Sequence, residues 1–283
     1  MVRVEMTDSS NPVRTITVSP PGRVAFPNFL EAYRFRTLIA RLAARDITLR
    51  YRQTVLGVLW VVLQPLLGAG ALSLVFGSVA KLNSGNVPYF LLAFVGMFWW
   101  SAASQALTRV AGSLLANAQL VSKVYFPRLV LPIALLWSGL LDTAVTLPFL
   151  VALMVAIGPP VTLRVLLAPV WLLLGLMLAL GIGLVATALA VKYRDIQQVL
   201  PLAVQLLFLA TPVAYRLQNV PARLRFVFSV NPCTGLLEAF RWSTIGGTLT
   251  AGAVIWGVTA SVTSLVVGLL FFARWERVFA DVI

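Results

Sequence analysis

Histidine is absent from this 283-residue chain, cysteine occurs once, at Cys233, and Asp and Glu together number only 9. A His-dependent catalytic triad is therefore impossible, and a lone cysteine without histidine builds neither a transition-metal site nor an intrachain disulfide. The phosphate-loop pattern GxxxxGK[ST] is missing too, so any use of ATP has to take place on another polypeptide. Charge is equally scarce, at 11% of residues against 60% hydrophobic, which leaves too little polar surface for a soluble domain of this length. These shortages argue against an enzyme, and no cofactor is expected on the chain itself.

What the chain does have is long apolar runs. The stretch TVLGVLWVVLQPLLGAGALSLVFGSVA at 54–80 follows directly on the cationic RLAARDITLRYRQ. About 20 apolar residues suffice to cross a hydrocarbon layer about 30 Å thick, so this run is a membrane span. Comparable runs at about 88–108, 129–157, 164–191, 196–215 and 248–273 bring the expected number to six. They are continuous rather than alternating, which excludes a β-barrel and predicts an all-α membrane protein. The first 27 residues lack the ordered regions of a signal peptide and carry Pro12, Pro20, Pro21 and Pro27; they are expected to form a disordered cytoplasmic tail.

The net charge of +13 raises the question of nucleic acid, and the placement of the cations answers it. With the N-terminus inside, only Lys81, Arg164, Arg216, Arg223, Arg225 and Arg241 fall outside, and every other Lys and Arg borders the cytoplasmic face. The positive-inside rule then puts both termini in the cytoplasm and excludes nucleic acid as the partner of the positive charge.

The connecting pieces are informative. Over 28–52, Arg34, Arg41, Arg45 and Arg52 recur at helical spacing beside Phe35, Leu38, Ile39, Leu42 and Leu49, which predicts an amphipathic interfacial helix. It serves either as an anchor on lipid headgroups or as a docking surface for a soluble partner. The segment 113–128 is long for a connection and ends at Phe126-Pro127, so it presents a short helix at the cytoplasmic surface. Asp195 is placed to cap the helix that follows KYRD. The stretch 222–245, broken by Asn231-Pro232, is too apolar for a solvated loop and too interrupted for a span; it reads as a re-entrant helix pair, lining a pathway or packing between subunits.

Asp142 and Glu238 are acids at membrane depth, where ionisable groups are expensive and face a cavity or a partner. Glu238 and Arg241, three residues apart, can pair with each other, whereas Asp142 has no partner nearby in sequence. Trp60, Tyr89, Phe98, Trp99, Trp100, Trp137 and Tyr215 are candidate lining residues of a translocation path, although aromatics also collect at membrane interfaces as belts.

Five blocks, taken in order, carry a family resemblance: RDITLRYRQTVLGVLWVVLQPL at 45–66, LVSKVYFPRLVLP at 120–132, YRDIQQVLPLAVQLLFLATPVAY at 193–215, NPCTGLLEAFRW at 231–242 and ERVFADVI at 276–283. Together they resemble the permease subunits of type-2 ATP-binding-cassette exporters, within the branch that exports O-antigen, capsule or teichoic-acid polymers. The resemblance implies a homodimer of six-span permeases in a bacterial inner membrane, with two copies of a separate ATPase that binds ATP and Mg. It implies a lipid-linked glycan as substrate, with Arg45, Arg50 and Arg52 meeting its pyrophosphate, although ordinary anchoring accounts for the same residues. By the same resemblance Arg34, Arg41, Lys123, Tyr125, Phe126 and Arg128 contact the ATPase, and the pair at 222–245, with Asn231, Glu238 and Arg241, gates the outer mouth. A drug or small-molecule exporter of the same superfamily and a membrane-embedded glycan-processing enzyme are the rival functions.

Overall fold

The computed structural model describes residues 33–52, 54–85, 87–124 and 126–276. The expected tail at 1–27, the first residues of the interfacial helix, Tyr125 and most of the terminal ERVFADVI block lie outside the described residues. Among the described residues the regular structure is helical throughout.

The chain opens with α1 (Arg36–Tyr51), followed by α2 (Leu59–Leu72), which runs on into a π-helical stretch at Ser73–Val79. Next come α3 (Tyr89–Ala116), the short α4 (Ala118–Lys123) and α5 (Val130–Ile157). A 3₁₀ turn at Leu163–Leu167 leads into α6 (Ala168–Lys192), then α7 (Ile196–Ala210), α8 (Ala222–Val230), α9 (Pro232–Thr244) and α10 (Ala251–Trp275).

Five stretches are long and apolar enough to cross a membrane: Leu59–Val79, Tyr89–Ala116, Val130–Ile157, Leu163–Lys192 and Ala251–Trp275. The sixth expected span, 196–215, is helical only over the 15 residues of α7. At about 1.5 Å per residue this covers about 22 Å, short of a full hydrocarbon thickness. The chain leaves the helix at Thr211-Pro212 because Pro212 has no N–H to continue the ladder and holds Thr211 in an extended conformation.

Helix α3 is the axis of the bundle. It touches α2, α5, α6, α7 and α9, and Leu91, Leu92, Phe94 and Trp99 along it are wholly buried. Trp99 lies against Gly175 of α6, where a Cβ would collide with its ring, and its indole N–H donates to the Trp171 carbonyl at 3.3 Å. On the other side of α6, Gly181 and Gly268 bring the backbones of α6 and α10 into direct contact, so that a Cβ on either would overlap the facing main chain. Such small-residue crossings replace the hydrophobic drive that lipid does not supply. Helix α9 is buried along nearly its whole length, whereas α7 and α8 contain no buried residue.

The apolar side of helix α1 is covered by protein, whereas Arg34, Arg41 and Arg45 beside it stay exposed. Its Phe35, Leu38, Ile39 and Leu42 pack on a protein cluster that contains Val121, Phe126, Leu129 and Phe272. These elements are further clasped by Glu276, which follows α10: its Oε1 accepts the Arg128 backbone N–H at 2.9 Å, and its carbonyl accepts from the Arg128 side chain. Asp195 does occupy the N-cap position of α7 as expected. Its side chain makes no cap hydrogen bond, however, and its backbone carbonyl accepts from Gln198 and Val199 instead.

Replacing Gly268 by Leu is expected to cost about 1–3 kcal/mol through overpacking, seen as a lower melting temperature of the detergent-solubilised chain. The neighbouring Val267, 51% exposed, should accept Leu without change.

Candidate functional site

The last turn of α1 carries Asp46, Arg50 and Tyr51, and the packing of α1 on α5 sets them against Ser138 and Asp142, one helical turn apart. Helix α3 supplies Gln105 and Arg109 at the same level. The span expected to stop at 108 continues through Ala116, so Arg109 sits inside a buried helix rather than at a membrane border.

All of these groups converge on Asp142, which is 7% exposed. Arg50 Nη1 donates to its Oδ2 at 2.6 Å, Arg109 Nη2 donates to the same oxygen, and the Tyr51 hydroxyl donates to Oδ1 at 2.9 Å. Arg50 also pairs with Asp46, whose carboxylate accepts from Ser138 Oγ at 2.7 Å. Arg109 donates in addition to Gln105 Oε1 at 2.6 Å. Two guanidinium groups thus face two carboxylates, and the cluster carries no net charge. A buried charge is tolerated when it is paired and its remaining lone pairs are filled, and each carboxylate here meets that condition. Burial, reinforced by the Asp142 carboxylate, pushes the Tyr51 hydroxyl above its ordinary value, so it remains a neutral donor at physiological pH.

Against this cluster lies a cavity of about 340 Å³ walled by Arg50, Tyr51, Trp60, Gln64, Gln105 and Arg109, with Val61 and Leu67 completing it. Its wall combines two aromatic rings, two carboxamides and two guanidiniums whose charge is already balanced. Rings of this kind stack on the C–H faces of pyranoses, and amides and guanidiniums hydrogen-bond hydroxyls.

A second cluster holds the outer segment. Arg241 on α9 does not form an ion pair with Glu238. Its Nη1 donates to the carbonyls of Pro212 and Tyr215 at 2.7 and 2.8 Å, and its Nη2 donates to those of Val213 and Leu92. The Tyr89 hydroxyl donates to the Ala214 carbonyl. Asn231 caps α9 by accepting from Cys233 N and reaches back to Thr211 Oγ1 at 2.8 Å. The turn after α7 therefore has its backbone oxygens satisfied by side chains, as irregular backbone away from water requires.

The other sequence candidates divide into exposed and buried. Trp60 and Trp137 are about half exposed, and Tyr215 is partly buried between Phe76 and Phe228. Phe98, Trp99 and Trp100 are buried within the protomer: Phe98 stacks on Phe240 and Trp100 packs on Phe208, so their rings face protein rather than an open path. Arg34, Arg41, Arg45, Arg52 and Lys123 are exposed, Phe126 is buried, and Arg128 is held by Glu276. Arg50, expected to be free for a pyrophosphate, has both its Nη atoms on carboxylates. Sequence reasoning did not single out Asp46, Tyr51, Gln105, Arg109 or Ser138. The spacings Asp46/Arg50 and Gln105/Arg109, both i,i+4, were the available signal.

Residues 37–245 match the ABC-2 type transporter family. The chain belongs to this family. Among ABC-2 relatives, the O-antigen export system permease protein RfbA of Myxococcus xanthus is 32% identical over 213 residues, 75% of this chain and 81% of the relative. An O-antigen export system permease protein RfbA of Klebsiella pneumoniae is 26% identical over 247 residues, 87% and 95% of the two chains. The capsule polysaccharide export inner-membrane protein CtrC of Neisseria meningitidis is 26% identical over 263 residues, 88% and 96%. The resemblance read from the five sequence blocks is borne out, and an ABC-2 transporter is a multi-pass membrane protein rather than an enzyme.

Arg241→Met removes the donors from four buried carbonyls and is expected to destabilise the chain by about 3 kcal/mol or more, against about 1 kcal/mol for Tyr89→Phe. Melting temperatures in detergent measure the difference.

Proposed function

We propose that this chain is the membrane subunit of an ATP-driven exporter that moves a lipid-linked polysaccharide of O-antigen, capsule or teichoic-acid type across a bacterial inner membrane. The observation that carries the reading is the cavity under α1, whose paired aromatic and carboxamide wall suits a hydrated sugar chain, in a chain whose ABC-2 relatives bear the names of O-antigen and capsule export permeases. A pocket built for a lipophilic drug would be lined mainly by apolar side chains, and Arg50, Gln64, Gln105 and Arg109 do not fit that description.

Two copies of the chain assemble with two copies of an ATPase that holds ATP and Mg. Both termini are cytoplasmic, with α1, α4 and the exposed Arg34, Arg41 and Lys123 turned toward the ATPase. Closure of the ATPases pushes on α1, whose Arg50 and Tyr51 pass the displacement directly to α5 through Asp142. The path between protomers is bordered by the unburied faces of α2 and α7, with Trp60 and Trp137 exposed to it. Helix α7 and the turn at 211–215 together make the sixth crossing, and α8 and α9 form the re-entrant gate at the outer side. With Arg50 engaged by acids, the exposed Arg45 and Arg52 are left to meet the carrier's pyrophosphate, and their forked guanidiniums match phosphate oxygens.

Co-purification with the ATPase and reconstitution in lipid tests this. ATP turnover that rises with a lipid-linked glycan supports the exporter, turnover indifferent to glycan moves the substrate to a smaller molecule, and absence of a complex overturns the reading. Reversing charge at Arg41 and Arg45 to Glu is expected to lower complex yield or glycan-stimulated turnover several-fold.

A further inference from the structure

We infer that Asp142 fixes the substrate charge of the cavity: by neutralising Arg50 and Arg109 it makes the wall a surface for uncharged sugar repeats, which would otherwise be a trap for anions. The inference rests on the export reading and adds to it the chemical class of the repeat that the cavity accepts.

Among the described residues, the charged groups on the cavity wall are Arg50 and Arg109. Left alone, two guanidiniums at a partly dehydrated wall would bind phosphate or uronate tightly, because the attraction between opposite charges grows as the local dielectric falls. A polymer that must slide through cannot be held so firmly at one point. Asp142, with Oδ2 shared between both arginines and Oδ1 held by Tyr51, cancels one positive charge from behind the wall, and Asp46 cancels the other. Hydroxyl groups of a neutral repeat find their partners in the Gln64 and Gln105 carboxamides on the same wall. An anionic repeat gains entrance only by pulling the arginines away from their carboxylates, whereas a neutral repeat leaves the network intact.

The test is isothermal titration of inorganic pyrophosphate into the full-length chain in detergent, without the ATPase. Asp142→Asn gives the cluster one net positive charge and is expected to bind pyrophosphate at least about tenfold more tightly than the unaltered chain. Adding Arg109→Gln to that variant restores neutrality and should return the affinity to its starting value. A folded Asp142→Asn chain with unchanged affinity overturns the inference, as does a double variant that keeps the gain. If Asp142→Asn fails to fold, Gln64→Lys adds the same charge to the wall without touching the network, and a folded Gln64→Lys chain with no gain overturns it equally. Failure of the export reading would show instead as glycan-independent ATP turnover of the reconstituted complex.

Discussion

Inside a bilayer there is no water to take up a charge or a carbonyl, so each polar group placed there has to be answered by another group of the protein, and by one that is rigidly held. The pairing of Asp142 with Arg50, Arg109 and Tyr51 is where this chain meets that demand most heavily. It fastens the end of α1 to α3 and α5. It also decides where Trp60, Gln64 and Gln105 stand, because the cavity they line is bounded by the same arginines. The same demand shapes the turn after α7: where Pro212 ends the helix, Arg241 and Tyr89 donate to the carbonyls the helix no longer serves.

From these two fixed points the rest of the bundle divides naturally. Helices α3, α6, α9 and α10 form a dense body in which glycines let backbones touch. Helices α2, α7 and α8 lie at its margin with large apolar side chains such as Leu74, Leu206 and Phe226 uncovered. The body is closed on itself, and the margin keeps an apolar surface of the kind that meets lipid.

The sequence read well where burial alone decides. Continuous apolar runs located every long helix, and the pattern of arginines beside Leu38, Ile39 and Leu42 found α1, because in each case the period of the side chains matches the helix they form. The family was equally accessible, since five blocks in order constrain far more than any one of them. What escaped was three-dimensional. Asp142 lies 92 residues from Arg50 and 33 from Arg109, and no periodicity links such positions. Arg109 was taken for a border charge because a cation ordinarily ends a span, yet a carboxylate on a neighbouring helix lets the helix continue past it. Trp99 and Trp100 looked like lining residues on composition, but a ring on the axis helix of a bundle faces its neighbours first. The run 196–215 is helical only to Ala210 because Pro212 breaks the ladder, a local break that an averaged hydropathy passes over.

The clasp between Glu276 and Arg128 has a mechanical meaning for the cytoplasmic face. Because one carboxylate oxygen grips the main-chain N–H of the segment that follows α4, that segment and the foot of α10 behave as a single lever. The lever's other arm bears on α6 at the glycine crossing, where backbones touch without cushioning side chains. The segment after α4, α10 and α6 are therefore coupled through two contacts, one polar and one of bare backbone.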